Sequence, residues 1–151
     1  MKIQRADILS PTALALIQAL NAELLGRYPE ENANHFRLDA EEVAEGRGAF
    51  LIASRDGQAV GCGAIRRIEA RTGEIKRMYV SPEERGRGCG RALLDALEVE
   101  AHALGLRRLV LETGVRQPDA IAVYERAGFS RIGPFGEYED SPLSVFMAKD
   151  L

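Results

Sequence analysis

The chain has 151 residues, 46% of them hydrophobic, with 20 basic and 23 acidic side chains and a net charge of −3. We expect a single domain over residues 1–151, with a core that needs neither a disulfide nor a metal. The balanced charge argues against a dedicated nucleic-acid binder. Two cysteines, Cys62 and Cys89, are too few for a disulfide framework and lack zinc-site spacing, which predicts no metal and a reducing, cytoplasmic location. Neither a signal-peptide pattern nor an apolar run of roughly 20 residues is present, so no secretion or membrane association is expected.

The first half of the chain predicts helices followed by a hairpin. A first helix is predicted over residues 11–30, with an apolar stripe at Leu14, Ile17, Leu20 and Leu24. A short second helix is predicted over residues 40–44. Apolar runs at residues 49–53 and 59–65 flank an Asp-Gly turn, which is typical of an antiparallel hairpin. A third strand is predicted over residues 74–80.

The second half alternates helices and strands. A glycine-rich turn leads into a helix that ends at Gly105, and a strand follows at residues 109–111, which predicts a parallel crossover. That helix carries apolar residues at Leu93, Leu94, Leu97, Val99 and Ala101. A further helix is predicted between Gln117 and Gly128, before strands at residues 129–132 and 143–148. The pattern as a whole predicts one mixed α/β sheet with helices packed on it.

The strongest local motif is the segment Arg85-Gly86-Arg87-Gly88-Cys89-Gly90-Arg91, between a predicted strand and a long helix. Glycines allow a tight turn that presents consecutive N–H groups at a helix N-terminus, which favours an anion such as phosphate. A tight turn with no ligand is the alternative. The segment lacks the Lys-Ser or Lys-Thr of a nucleotide-triphosphate loop and the third glycine of a dinucleotide fingerprint. Glu112, about 20 residues further on, keeps a ribose-binding interpretation open.

Two motifs together resemble the GCN5-related N-acetyltransferases, the GNAT family. Arg85-x-x-Gly88-x-Gly90 matches the family's acetyl-CoA signature, and residues 74–82 look like its central strand with a Val-x-Pro exit. Residues 120–129 are similar to its second signature, a tyrosine-bearing helix followed by Gly-Phe. The resemblance is close over roughly residues 48–133. It implies a mixed, mostly antiparallel central sheet with splayed central strands, flanked by about four helices.

The resemblance also implies where acetyl-CoA binds. Backbone amides of the glycine loop would hold the pyrophosphate, and main-chain groups of the central strand would pair with the pantetheine arm. These cofactor-binding residues are Met78, Tyr79, Val80, Arg85, Gly86, Arg87, Gly88, Cys89, Gly90 and Arg91. Gln117 occupies a position where the family usually has asparagine, so it is both a candidate cofactor contact and an ordinary helix-starting residue.

Two residues are candidates for proton transfer. Tyr124 matches the family tyrosine that protonates the departing thiolate, although a tyrosine on an apolar helix face is more often a packed core residue. Because an amine with a pKa near 10 is only about 0.1% neutral at pH 7, a base is needed. Glu74 occupies the strand position where the family often carries a carboxylate base, acting directly or through water. A glutamate that merely pairs with Lys76 or Arg77 is the alternative.

The acceptor pocket is expected between residues 25–40 and 133–142, with Tyr28, Phe135 and Tyr138 either lining it or packing. Acidic residues are frequent there, which predicts either an acidic rim that attracts a cationic amine or simply solvated faces. The acidic residues concerned are Glu23, Glu30, Glu31, Asp39, Glu41, Glu42, Glu45, Glu137, Glu139 and Asp140.

The sequence thus predicts an enzyme that transfers the acetyl group of acetyl-CoA to a primary amine of a small molecule. Three alternatives remain open: a non-catalytic acyl-CoA-binding module, a peptide or protein amine as acceptor, and a nucleotide or S-adenosylmethionine binder that uses Glu112. The family resemblance is also compatible with a homodimer.

Overall fold

A computed structural model describes residues 1–31 and 33–151. Within these residues the chain forms seven strands and three α-helices, together with two short 3₁₀-helices at Ala40–Val43 and Pro82–Glu84. The strands are β1 (Lys2–Arg5), β2 (Gly48–Arg55), β3 (Gln58–Glu69), β4 (Thr72–Val80), β5 (Arg108–Gly114), β6 (Ser130–Ile132) and β7 (Ser144–Asp150). The α-helices are α1 (Pro11–Arg27), α2 (Cys89–Ala103) and α3 (Pro118–Arg126).

All seven strands belong to one mixed sheet of order β1-β2-β3-β4-β5-β7-β6. The predicted hairpin is confirmed, because β2 and β3 pair antiparallel around Asp56 and Gly57, whose φ angles of 52° and 81° suit a tight hairpin turn. The predicted crossover is also confirmed, since β4 and β5 are parallel and α2 connects them. Every other strand pair is antiparallel. The mixed, mostly antiparallel sheet is therefore as expected.

The two central strands separate halfway along their length. Register between β4 and β5 runs only from Thr72–Arg108 to Ile75–Leu111, although β4 continues to Val80 and β5 to Gly114. Beyond Ile75 the facing backbone edges are not paired with each other. The splay that the family resemblance implied is thus present, and it opens a slot in the middle of the sheet.

Helices cover both faces of the sheet. On one face α2 and α3 bury Leu93, Leu97 and Tyr124, whereas on the other α1 packs Ala13, Leu16 and Leu20 against the strands. The expectation of about four helices was too high by one, because the segment after Leu38 forms a single 3₁₀ turn rather than an α-helix.

Two of the apolar residues named in the predicted helices lie on the surface. Leu14 is 43% exposed, because the buried stripe of α1 runs through Ala13, Leu16 and Leu20 instead. Val99 is 68% exposed, since it lies on the solvent side of α2, opposite Leu97. Hydrophobic character alone therefore misplaces side chains when a helix carries more apolar residues than its buried face can accommodate.

Candidate active site

Strand β4 carries a β-bulge at the point where it leaves β5. The pairing of β3 with β4 shifts between Cys62–Tyr79 and Ala64–Lys76, so that Arg77 and Met78 together oppose Gly63. Arg77 adopts a φ of 56°, which is uncommon for a residue with a side chain. The Cys62 thiol donates to the Arg77 carbonyl at 3.3 Å. Bulges redirect side chains and are frequent beside active sites, so this irregularity marks the region to inspect.

A groove of about 910 Å³ runs from the splayed strands to the glycine loop. Gly86 and Gly88 have φ angles of 78° and 86°, which side chains adopt only with strain, and α2 begins immediately afterwards at Cys89. The first backbone N–H groups of α2 have no partner within the helix, and the helix dipole adds positive potential at the same point. The loop is therefore built to receive an anion.

Most of the predicted cofactor-binding residues line this groove. They are Met78, Tyr79, Val80, Arg85, Gly86, Gly88, Cys89, Gly90, Arg91 and Gln117. Arg87 differs, because its guanidinium turns away to pair with Glu84 at 3.1 Å and the residue does not line the groove. Its backbone still belongs to the loop, so only its side chain is removed from the expected site.

The arginines of the loop are engaged with the protein. Arg85 pairs with Glu23 at 2.6 Å, and Arg91 pairs with Asp95 at 3.1 Å. The first pair connects the loop to α1, the second lies within the first turns of α2, and both reduce the excess positive charge. The groove as a whole is nevertheless cationic, since five arginines and three carboxylates line it. The arginines are Arg27, Arg85, Arg91, Arg116 and Arg126, of which sequence motifs indicated only Arg85 and Arg91.

A second, smaller cavity of about 90 Å³ adjoins the groove on the opposite side of Tyr124. Four residues line both spaces: Leu20, Met78, Gln117 and Tyr124. Gln117 is the residue before α3, and its side-chain oxygen accepts from the Tyr28 hydroxyl at 3.3 Å. The splayed strands, the start of α3 and the end of α1 thus bring two ligand-sized spaces together at one tyrosine.

Tyr124 is 7% exposed and packs edge-on against Phe129. Its hydroxyl makes no hydrogen bond to any residue in the described part of the chain, and burial raises its pKa above the usual range. A buried tyrosine hydroxyl ordinarily has a partner. Because Tyr124 lines both spaces, its phenol is a proton donor available to a ligand that spans them.

Glu74 is 1% exposed and both of its carboxylate oxygens are occupied. Arg66 donates to Oε1 at 2.9 Å, and the Tyr138 hydroxyl donates to Oε2 at 2.5 Å. Arg66 also pairs with Glu42, so one guanidinium bridges two carboxylates. Burial, followed by the Glu74 charge, raises the pKa of Tyr138. The sequence left two possibilities for Glu74, a catalytic base or a partner of Lys76 or Arg77. The structure shows that Glu74 does form an ion pair, but with Arg66.

Glu112 is a second carboxylate in the smaller cavity. Its Oε2 accepts from the Ser144 hydroxyl at 2.9 Å, while Oε1 accepts no hydrogen bond from the residues described. Burial raises the pKa of Glu112, and the hydrogen bond from Ser144 opposes that rise. Glu112 does not line the groove beside the glycine loop, so the structure does not support the alternative in which it binds a ribose.

Both segments expected to make the acceptor pocket contribute to the wall of the smaller cavity, although β4 and β5 supply more of its residues. Tyr28, Asn34 and His35 come from the first segment and Tyr138 from the second. Phe135 packs against Tyr138 and Phe146 without lining the cavity. The acidic-rim interpretation is not supported, because none of its ten carboxylates lines the cavity. Several are ion-paired elsewhere, as Glu30 is with Arg116 and Glu42 with Arg66.

The cavity wall carries two cations that sequence reasoning considered only as possible ion-pair partners of Glu74. Lys76 and Arg77 both line it, and burial lowers the pKa of each. His35 lies edge-on to the Tyr138 ring at 5.1 Å. Side chains alternate between the two faces of a strand, so the positions of Glu74 and Lys76 in β4 could have indicated that they share a face. The bulge that brings Arg77 to the same cavity has no sequence signature.

Both cysteines are structural. Burial raises the pKa of Cys62 to about 12 and also raises that of Cys89, so both remain thiols rather than nucleophilic thiolates. Residues 1–31 and 33–151 contain no cluster of three potential metal-ligating side chains. No helix among them has the length and apolarity required to cross a bilayer.

Comparison with known proteins places the chain among acetyltransferases. The model of the acetyltransferase (GNAT) family matches residues 14–129. A protein of Azospirillum brasilense named IAA acetyltransferase is 47% identical over 150 residues, covering 99% of this chain and 97% of its own length.

Solved structures share the fold. A Klebsiella pneumoniae protein described as an acyl-CoA N-acyltransferase superposes with a TM-score of 0.83 at 38% identity, covering 99% of this chain and 97% of that one. A GNAT-family acetyltransferase of Elizabethkingia anophelis with acetyl-CoA bound gives a TM-score of 0.69 at 18% identity, with coverage of 99% and 97%. At that identity the second likeness concerns the fold alone.

Proposed function

Because the chain belongs to the GNAT family of acetyltransferases, we propose that it transfers the acetyl group of acetyl-CoA directly to a primary amine of a small molecule. The observation that carries the proposal is the junction of two spaces at Tyr124. The groove has the cationic lining and helix N-terminus that suit a phosphate-bearing cofactor. The cavity has titratable groups and a volume of about 90 Å³, which suits a small acceptor or its reactive end.

Acetyl-CoA would lie in the groove with its pyrophosphate on the amides of the glycine loop. Its pantetheine arm would run along β4 from Val80 to Met78, whose backbone edge is free because β5 has splayed away. The thioester would then reach Tyr124. Gln117, which lines both spaces, is placed to contact the end of the arm. When bound, the cofactor supplies the activated acyl group, and the protein positions it.

The amine nitrogen attacks the thioester carbonyl carbon, a C–N bond forms, and the C–S bond breaks. A base first takes one proton from the acceptor ammonium, which gives the neutral amine that attacks. The sulfur leaves as a thiolate and takes a proton from the Tyr124 hydroxyl, and the second amine proton is released to solvent, from which the Tyr124 phenol is restored. Since both substrates meet at one point, transfer occurs within a ternary complex without an acetyl-enzyme. Holding the two reactants in contact accounts for a large part of the acceleration.

Two carboxylates compete for the role of base. Glu74, which the family resemblance proposed, has both oxygens hydrogen-bonded, so it can accept a proton only through Tyr138. Glu112 has an oxygen without a protein partner among the residues described and a pKa raised by burial, the property expected of a carboxylate base near neutrality. We propose that Glu112 takes the proton and that Glu74 positions Tyr138.

Glutamine variants separate these roles. For Glu112→Gln we expect kcat to fall by about 100-fold or more, the usual contribution of a general base. In the wild type kcat rises with pH through the raised pKa of Glu112, because the carboxylate must be deprotonated to act, and this rise disappears in the variant. Glu74→Gln, the matched control, keeps the rise with a smaller loss. If the rise of kcat with pH disappears in Glu74→Gln and not in Glu112→Gln, Glu74 is the general base.

The first test of the function is calorimetric titration with acetyl-CoA, CoA and NAD at fixed salt. We expect the two CoA species to bind and NAD not to bind. A panel of small amines is then screened for release of the CoA thiol. Binding without turnover of any amine or N-terminal peptide would indicate an acyl-CoA-binding module, and turnover of peptides alone would indicate a protein acceptor. Binding of NAD without CoA would contradict the proposal.

A further inference from the structure

Arg77 is a buried cation without an anionic partner. Three charged side chains in residues 1–31 and 33–151 are at least nine-tenths buried: Glu74, Glu84 and Arg77. Glu74 pairs with Arg66, and Glu84 pairs with Arg55 and Arg87. Arg77 has no carboxylate within 4.0 Å among these residues. A buried charge is ordinarily paired, because isolation from water disfavours it strongly.

The environment of Arg77 holds the guanidinium in place without neutralising it. Nη1 donates to Asn21 Oδ1 at 2.8 Å and reaches the Phe36 carbonyl at 3.5 Å. The Phe36 ring covers the guanidinium at 5.1 Å from its centroid. These neutral contacts orient the group on one edge. They leave Nε buried and without a hydrogen-bond partner in the part of the chain that the structure describes.

Arg77 therefore still lacks a counter-charge. A guanidinium binds a carboxylate through charge-assisted hydrogen bonds, which are stronger than its hydrogen bonds to neutral groups. Arg77 lines the acceptor cavity, beside Lys76, which likewise has no carboxylate within ion-pair distance among the residues described. The cavity's own carboxylates do not supply the counter-charge. Glu74 pairs with Arg66, and Glu112 forms no ion pair with Arg77 or Lys76 among the residues described.

From these contacts we infer that the acceptor carries a carboxylate, which pairs with the guanidinium of Arg77. This inference rests on the proposed acetyl transfer and narrows its substrate class to small molecules that bear both an amine and a carboxylate, such as amino acids. The carboxylate of the acceptor supplies the missing counter-charge of Arg77. It also orients the amine within a cavity of about 90 Å³, where few other groups fit beside it.

The test compares acceptors that differ only in the carboxylate. Free L-amino acids and their α-amides are assayed by release of the CoA thiol, and we expect kcat/KM to favour the acids by about 100-fold. Loss of the neighbouring negative charge lowers the pKa of the amine in the amides, which makes more of it neutral and works against this result. The preference is therefore not a consequence of intrinsic reactivity.

Three variants locate the preference in Arg77. Arg77→Met should raise KM for the acids about 100-fold and leave the amides unchanged, whereas Arg77→Lys, which keeps the charge but not the fork, should restore part of the preference. Arg37→Met is the matched control, because Arg37 is exposed and pairs with Asp39 outside the cavity. Melting temperatures and acetyl-CoA affinity establish that each variant is folded.

A binding measurement separates failure of the inference from failure of the proposed function. N-acetylated amino acids and their amides are titrated in the presence of CoA, which requires no turnover. Arg77-dependent binding of the acids without turnover of any amine would support the inference and contradict the function. Turnover of acids and amides at equal rates, unaffected by Arg77→Met, would overturn the inference and leave the function standing. Neither binding nor turnover would overturn both.

Discussion

A Gly88→Asp variant is expected to lose acetyl-CoA binding, with a dissociation constant raised at least about 100-fold. Gly88 precedes α2 with a φ of 86°, where the amides of the glycine loop converge. A carboxylate there lies within roughly 5–6 Å of the proposed pyrophosphate, and at that distance two unit charges repel by about 3 kcal/mol near a protein surface. Calorimetric titration of the purified variant with acetyl-CoA measures the effect.

Gly88→Asn is the matched control, because asparagine has the size of aspartate without its charge. Both residues tolerate positive φ better than other side chains, so the backbone strain is alike in the two variants. A Cβ at position 88 meets no protein atom within 4 Å, so neither variant should unfold the chain. We expect the asparagine variant to retain measurable binding. Equal affinities for the two variants would mean that no anion is held at this loop.

Sequence periodicity predicted most of the fold because the local signals agreed with one another. The Asp56-Gly57 turn, the glycine that ends α2 and the proline that begins α3 each have a conformational reason that acts within a few residues. Strand β1 was missed because its four residues, Lys2–Arg5, are mostly exposed and show no alternation. It forms because the edge of β2 is available to pair with it, which is a tertiary cause.

The cofactor-binding part of the site could also be predicted from the sequence. Binding there depends on backbone amides and glycine conformations, which a contiguous motif specifies. The one misplaced residue, Arg87, shows the limit of this reasoning, because its side chain responds to Glu84, a residue of the preceding 3₁₀ turn. The net charge of the motif therefore predicted that the groove is positively charged, but not which arginines line it.

Much less of the acceptor-binding part could be predicted from the sequence. Three separate segments supply the residues concerned, which are Glu74, Glu112 and Tyr138. They come together only when the strands of the sheet have paired. The count of acidic residues between positions 20 and 45 suggested an acidic rim, whereas in the structure those side chains lie outside the cavity and several form surface ion pairs. The bulge that brings Arg77 to the cavity depends on the register between β3 and β4, which local sequence does not specify.

A Tyr124→Phe variant is expected to lower kcat by about 100- to 1,000-fold while leaving the affinity for acetyl-CoA unchanged. The hydroxyl has no partner among the residues described, so its removal costs no protein hydrogen bond and the melting temperature should not fall. Burial raises the pKa of Tyr124, and the same burial raises the pKa of a thiol beside it, so the phenol remains a suitable donor to the departing thiolate.

The measurement pairs steady-state kinetics with calorimetric titration of the same preparation. A fall in kcat with constant affinity assigns the hydroxyl to the transition state rather than to cofactor binding. Because the phenol stays protonated well beyond neutrality, the wild-type rate should show no decline attributable to Tyr124 between pH 7 and about 10. An unchanged kcat in the variant would remove Tyr124 from the mechanism, and the thiolate would then have to leave without a protein donor at the point where the two spaces meet.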